Sequence, residues 1–325
     1  LAAAAILTKQ SAAIPIFALL FWLLAYKRRS LPFFGTGLLL FGSIALAVFY
    51  EIYGDWFLYY LWKVPASHGI LDRRLGEFWR LDWLKPFGLA TMCAVWYFTA
   101  RSEKSAESPG GRAFYAIFTL ACIATAFMGR IKAGGAYNAL IPLHASISLT
   151  VGLSLAATLN DANNKRLRHF LLAVYLLQVL ALAYNPTRFL PTPEMEQQMQ
   201  KSLRTLSAIP GDTYVMRNPD LTYKLNKRNG AHSCSVEDML KEPQLREVNT
   251  RAILEPFKRR AYDAIAVKPR EIPEYCHDVM EENYEPTQRR ISIILWQNDK
   301  DFTIDSEVVY FRKTGMEDRA AKKHK

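Results

Sequence analysis

The sequence predicts a polytopic α-helical membrane domain, residues 1–185, followed by a small extracytoplasmic α/β domain, residues 186–325. Three observations carry this expectation. Up to about residue 185 the chain is a series of apolar blocks with short polar breaks, most of them near the ~20 residues that cross a hydrocarbon core. Half of the 325 residues are hydrophobic, yet the mean hydropathy is only −0.03, because the remainder of the chain is charged and mixed. That remainder alternates helical spacing with short strand-like runs and has the size of an ordinary domain. The formal charge of +11 points to no nucleic acid partner. Lys and Arg flank the apolar runs, and no basic stripe with interleaved aromatics occurs.

The opening run, Leu1 to Leu7, reads as the end of a span whose beginning lies upstream, so the sequence is expected to be a fragment; it has no secretory-signal pattern. The first complete span covers 12–26 and stops at Lys27-Arg28-Arg29, with Pro15 in its first turns. A second covers 33–50, where Gly35, Gly37, Gly42 and Ser43 permit close helix approach. Residues 51–85 are too charged to cross. Their Tyr53, Trp56, Tyr59, Tyr60, Trp62, Trp79 and Trp83 suit short helices in the membrane interface. Further spans are expected at 84–100, 114–128, 139–159 and 170–184, with hydrophilic breaks at 101–112, 129–138 and 160–168. That makes six complete spans and the end of a seventh.

Alternation puts residues 27–29, 101–112 and 165–168 on one side, and Lys9, 51–85, 129–138 and the tail on the other. Lys and Arg are nearly balanced across the two sides. The compact clusters directly after spans place the first side in the cytoplasm and the tail outside it. In the tail, Met195, Met199, Leu203 and Leu206 mark a helix over 193–208 that Pro210-Gly211 ends. Strands are expected at 213–216, 264–267, 291–296 and 308–311, and helices at 235–242, 245–260 and 274–281. The end, 319–325, reads as a frayed basic tail.

The stretch around which the chain is organised is Gly129-Arg130-Ile131-Lys132-Ala133-Gly134-Gly135-Ala136-Tyr137-Asn138, with an apolar run on either side. Two cations and glycine-exposed backbone N–H groups suit an anion, above all phosphate, and the aromatic suits a ring or the interface. An interfacial hairpin, with Arg and Lys snorkelling and Tyr anchoring, is the other reading of the same residues. Lys9 falls on the same face, beside Gln10, and converges with Arg130 and Lys132 on a candidate phosphate site. Gln10, Asp55, His68, Tyr137, Asn138 and His144 are candidate substrate contacts on that face, while a helix–helix hydrogen bond is the alternative for His144. Glu51 is a further carboxylate there.

Cys93 and Cys122 lie within spans and pack. Cys234 and Cys276 are the tail's two cysteines and the candidate disulfide, if the tail faces an oxidising compartment. His232 and His277 beside them match no zinc spacing, so no metal site is assigned. No P-loop, Rossmann fingerprint, nucleophile elbow or HExxH is present. No cofactor is therefore expected, and the sequence leaves a divalent cation open.

Ala5-Ile6-Leu7-Thr8-Lys9-Gln10-Ser11-Ala12, with the span and basic stop after it, resembles a segment of bacterial GT-C superfamily glycosyltransferases. These use polyprenyl-phosphate sugars and include the dolichyl-phosphate-mannose protein mannosyltransferase-like and lipid A aminoarabinose transferase-like enzymes. The 129–138 stretch with Leu140-Ile141-Pro142 is similar to the turn before one of their late spans. Ile209-Pro210-Gly211-Asp212-Thr213-Tyr214-Val215 and Ser235-Val236-Glu237-Asp238-Met239-Leu240 look like their closing extracytoplasmic domain. The resemblance implies an enzyme of the bacterial inner membrane that moves a sugar from a polyprenyl-phosphate carrier to a lipid, glycan or protein acceptor outside the cytoplasm. It implies donor-phosphate contacts at Lys9 and Arg130, supported by Lys132, and a catalytic carboxylate upstream of Leu1, so that the fragment itself is inactive. The alternatives are a non-enzymatic lipid-phosphate transporter or flippase and a membrane-anchored binding protein.

Overall fold

The computed structural model describes residues 1–99, 109–160, 165–227, 230, 233–240, 246–268, 270, 272–297 and 301–313. Most of the break expected at 101–112, residues 161–164, His232 and the basic end at 319–325 lie outside the described residues. The chain divides into two compact units, Leu1–Tyr184 and Asn185–Lys325.

The first unit is helical. α1 (Ala2–Thr8) leads through Lys9, in extended conformation, into the 3-10 turn Gln10–Ala12. α2 (Ala13–Tyr26) ends at Lys27, and α3 (Leu31–Tyr53) ends at Gly54, whose φ of 57° lies in the region glycine favours. Short helical turns then cover Asp55–Leu58, Tyr59–Lys63, Val64–Ser67, Asp72–Glu77 and Phe78–Leu84, the second and last of them π-helical. α4 (Lys85–Thr99), α5 (Pro109–Arg130), α6 (Ile141–Asn160) and α7 (Lys165–Ala181) complete the unit.

Among the described residues, three helical stretches are long and apolar enough to cross a membrane: Arg28–Tyr53, Gly110–Arg130 and Tyr137–Asn160. Gln10–Tyr26 is apolar but shorter. The other expected spans, 12–26, 84–100 and 170–184, coincide with the shorter helices α2, α4 and α7. α4 has 15 residues and α7 has 17. At 1.5 Å per residue such helices rise roughly 22–26 Å, short of a ~30 Å core. The N-terminal continuation of α4, Phe78–Leu84, carries Arg80 and Asp82. α3 has no buried residue, and Phe33, Leu39 and Phe41 are 83%, 72% and 67% exposed. A helix apolar on every side needs hydrocarbon or another apolar surface around it.

α2 and α5 run antiparallel. Trp22 Nε1 donates to the Gly110 carbonyl at 2.7 Å, and Thr125 Oγ1 donates to the Ser11 carbonyl at 3.5 Å near the other end. Lys9 and Arg130 therefore lie at the same end of this pair. Phe78, Ala90, Ile123, Ala126, Leu140, Leu143 and Ile147 form one core, and Cys93 packs with Leu171, Val174 and Tyr175 in another. On α6, Ser146, Thr150, Ser154 and Thr158 recur every fourth residue and are buried, and Ser154 Oγ donates to the Cys93 carbonyl of α4 at 2.8 Å. Small hydroxyl residues at helical spacing let two helices approach closely.

The second unit contains α8 (Pro193–Ser207), β1 (Thr213–Val215), α9 (Arg246–Lys258), β2 (Ala264–Val267), α10 (His277–Asn283), β3 (Tyr284–Gln297) and β4 (Asp301–Arg312). The Thr192 hydroxyl caps α8 by accepting from Met195 N–H. The sheet order is β1-β2-β4-β3, with β1 and β2 parallel and the other pairs antiparallel. Alternation along β2 sends Ile265 and Val267 to one face, against Phe257, Val279 and Met280. Ala264 and Ala266 face Leu206, Ile209 and Val309 on the other. All four expected strands are present, and β3 and β4 extend beyond their apolar runs because they pair along most of their length.

Cys276 is a free, buried thiol, and burial pushes its pKa up to about 12. The bridge expected to Cys234, whose side chain lies outside the described ones, is not formed in this structure.

Candidate functional site

The 129–138 stretch and the segment between α3 and α4 are locked together at one end of the helical unit. A short antiparallel bridge joins Ile70 to Lys132, with Leu71 N–H donating to Ile131 and Ala133 N–H to Gly69. Lys132 Nζ donates to the Pro65 carbonyl at 2.9 Å, and His68 Nδ1 donates to the Ala133 carbonyl at 2.8 Å. The three candidates His68, Arg130 and Lys132 thus share one construction.

Its centre is an ion pair that the sequence did not single out. Arg130 Nε meets Asp82 Oδ2 at 2.8 Å, with the two side chains only 9% and 5% exposed. Arg130 Nη1 donates to the Gly135 carbonyl at 2.8 Å, and the guanidinium lies 4.2 Å from the centre of the Tyr137 ring. Arg74 fills the turn from the other side: its Nη1 donates to the carbonyls of Arg130, Lys132 and Gly135 at 3.2, 2.8 and 2.8 Å. The convergence leaves no room at Gly135. A Cβ there would stand 2.4 Å from the Gly129 carbonyl oxygen and 2.7 Å from that of Arg130.

At Gly135 the expected exposed N–H group is not offered to an anion. The turn aims its carbonyls at guanidinium groups, and Gly135 N–H is spent on the Lys132 carbonyl. Gly134, at φ 78°, supplies the left-handed step that makes this curl possible. Arg130 organises the turn from within.

Lys9 is exposed, and Gln10 is half-buried in the adjoining 3-10 turn. Asp55 is exposed and accepts from the Tyr50 hydroxyl at 3.3 Å; Glu51 is exposed as well. Asn138 is exposed and Tyr137 half-exposed. His144 turns its ring to Phe87 of α4, with centroids 4.9 Å apart. The rings of Trp79 and Trp83 lie tilted to one another with centroids 5.3 Å apart, beside Phe78 and Phe127, giving the face an aromatic floor. Asp82 and Arg74 are the functional candidates that sequence reasoning missed. The available signal was a lone carboxylate in the otherwise apolar Leu81-Asp82-Trp83-Leu84. Among the described residues no three His, Cys, Asp or Glu side chains are grouped to hold a metal ion. No protein-family model, curated protein or solved structure matches this chain.

Proposed function

We propose that this chain belongs to an integral membrane protein that binds a lipid-linked phosphate at the face made by residues 55–84 and 129–138. The ligand proposed is a polyprenyl-phosphate sugar, and the reaction is transfer of that sugar to a lipid, glycan or protein acceptor outside the cytoplasm. One observation carries the reading: exposed Lys9 lies at the same end of the α2–α5 pair as the Arg130 turn. A cation at a membrane face beside tryptophans suits a phosphate whose tail lies in hydrocarbon and whose sugar lies in water. The resemblance in 5–12 and 129–138 supplies the reaction class. In such a transfer the acceptor hydroxyl attacks the anomeric carbon, its proton passes to a general base, and the lipid phosphate leaves with the bonding electrons. Asp82 is held by Arg130 and Asp55 is exposed beside Tyr50, so neither is assigned as that base.

The test is binding of a polyprenyl phosphate to the protein reconstituted in lipid. A charge-assisted contact contributes about 1.5–3 kcal/mol, so Lys9→Ala is expected to weaken binding roughly ten- to a hundred-fold. Wild-type affinity in a folded Lys9→Ala protein would remove the site from this face.

A further inference from the structure

The strongest unexplained feature of the helical unit is the break in α4. In a continuous helix the Ala90 N–H donates to the Pro86 carbonyl, four residues back. Here the Gln178 side chain of α7 stands between them. Ala90 N–H donates to Gln178 Oε1 at 2.8 Å, and Gln178 Nε2 donates to the Pro86 carbonyl at 2.8 Å. Gln178 is 6% exposed, and Phe87, inside the gap, has the non-helical angles φ −125°, ψ 20°. Insertion of a side chain into the backbone ladder is an established way to kink a helix. The amide supplies the acceptor and the donor that the two separated backbone groups require.

A second bridge crosses the same break. Trp83 Nε1 donates to Thr91 Oγ1 at 2.8 Å, and that hydroxyl donates to the Phe87 carbonyl at 2.8 Å. On the near side lies the π-helical Phe78–Leu84, which carries Asp82 onto Arg130. Proline at 86 has no N–H for the Asp82 carbonyl, so the ladder is already weak there.

We propose that α4 is a hinge at Phe87, that Gln178 is its latch, and that the Phe78–Leu84 arm is a strap whose position the latch sets. Two arrangements satisfy the same backbone groups. With Gln178 inserted, the helix is bent and Asp82 reaches Arg130. With Gln178 withdrawn, Ala90 N–H pairs with the Pro86 carbonyl, the helix straightens, and Asp82 is carried away from Arg130. The inference does not depend on sugar transfer.

Distance measurement between spin labels in lipid nanodiscs tests it. Labels go on Arg80→Cys in the strap and Leu180→Cys on α7, both exposed, with Cys93, Cys122, Cys234 and Cys276 replaced by alanine. The arm from residue 80 to 87 is about 10 Å long, and a bend above about 20° displaces its end on the order of 4 Å. Gln178→Leu is expected to shift the distance by that amount. Pro86→Ala, which relieves a helix rather than burdening it, is expected to leave the distance unchanged because the latch still holds the bend. An unshifted Gln178→Leu distance, or a Pro86→Ala variant that straightens with Gln178 intact, overturns the latch. The Pro86→Ala arm decides the question alone if the leucine variant does not fold.

Discussion

Removing the Asp82 carboxylate isolates the interaction on which the basic turn depends. Arg130 Nε and Asp82 Oδ2 are 2.8 Å apart in side chains that are 9% and 5% exposed, so solvent screening does little to weaken the pair. Asp82→Ala leaves a buried guanidinium without its counter-charge, which costs about 3–5 kcal/mol. In a unit of this size that lowers the unfolding midpoint on the order of 10 °C. Asp82→Asn retains an acceptor for Arg130 and exchanges a charged for a neutral hydrogen bond, a loss nearer 1–2 kcal/mol. The Asp82→Leu/Arg130→Met double variant removes both charges and is expected to recover part of the loss. It still forfeits the Gly135 carbonyl and the Tyr137 ring. Thermal unfolding in lipid or detergent of Asp82→Leu, Arg130→Met and the double variant gives the coupling energy. Additive losses would show that Asp82 and Arg130 act independently and refute the reasoning.

Gly135→Ala is expected to destabilise the helical unit by about 1–3 kcal/mol, since its Cβ meets backbone carbonyls that cannot rotate away; a thermal midpoint equal to wild type would contradict the geometry. In the tail, burial pushes Cys276 and Tyr284 each up to about 12. The unfolded chain releases those protons from about pH 8.5–10, so their contribution is complete below that range and is lost as pH rises towards 12. Thiol labelling checks the first group: Cys276 in the folded protein is expected to stay unreactive at pH 8–9, roughly, and rapid labelling there would place it outside the core. For topology, alkaline phosphatase fused after Lys325 is expected to be active in a bacterial host; an inactive fusion, with an active one placed in 101–112, reverses the assignment.

The tail was legible because its strands announce themselves locally. Ala264-Ile265-Ala266-Val267 is bounded by Asp263 and Lys268, and it became a buried central strand with small residues on one face and large ones on the other. The extra length of β3 was not legible, because Tyr284 to Arg290 carries polar residues whose strand conformation comes from pairing with β4. In the helical unit, apolar runs located the helices. Pro86 and Gln178 are both visible as interruptions of apolar runs, at 84–100 and 170–184. That one repairs the other across two helices is a tertiary fact with no sequence period.

The site divides the same way. Alternation of the spans put Lys9 and Arg130 on one face, and the antiparallel α2–α5 pair places them at the same end. Composition could not say which way each charge points. Arg130 and Arg74 are drawn inward because the curl of 130–135 concentrates carbonyl oxygens, and partly buried carbonyls require donors. Around Arg130 the turn is thus built of carbonyls that face guanidinium groups. Its guanidinium charge is spent on holding the 55–84 segment in place, and the proposed phosphate contact rests on exposed Lys9. Arg130 joins such a contact only when Asp82 withdraws, and the hinge at Phe87 is the element of the fold that can withdraw it.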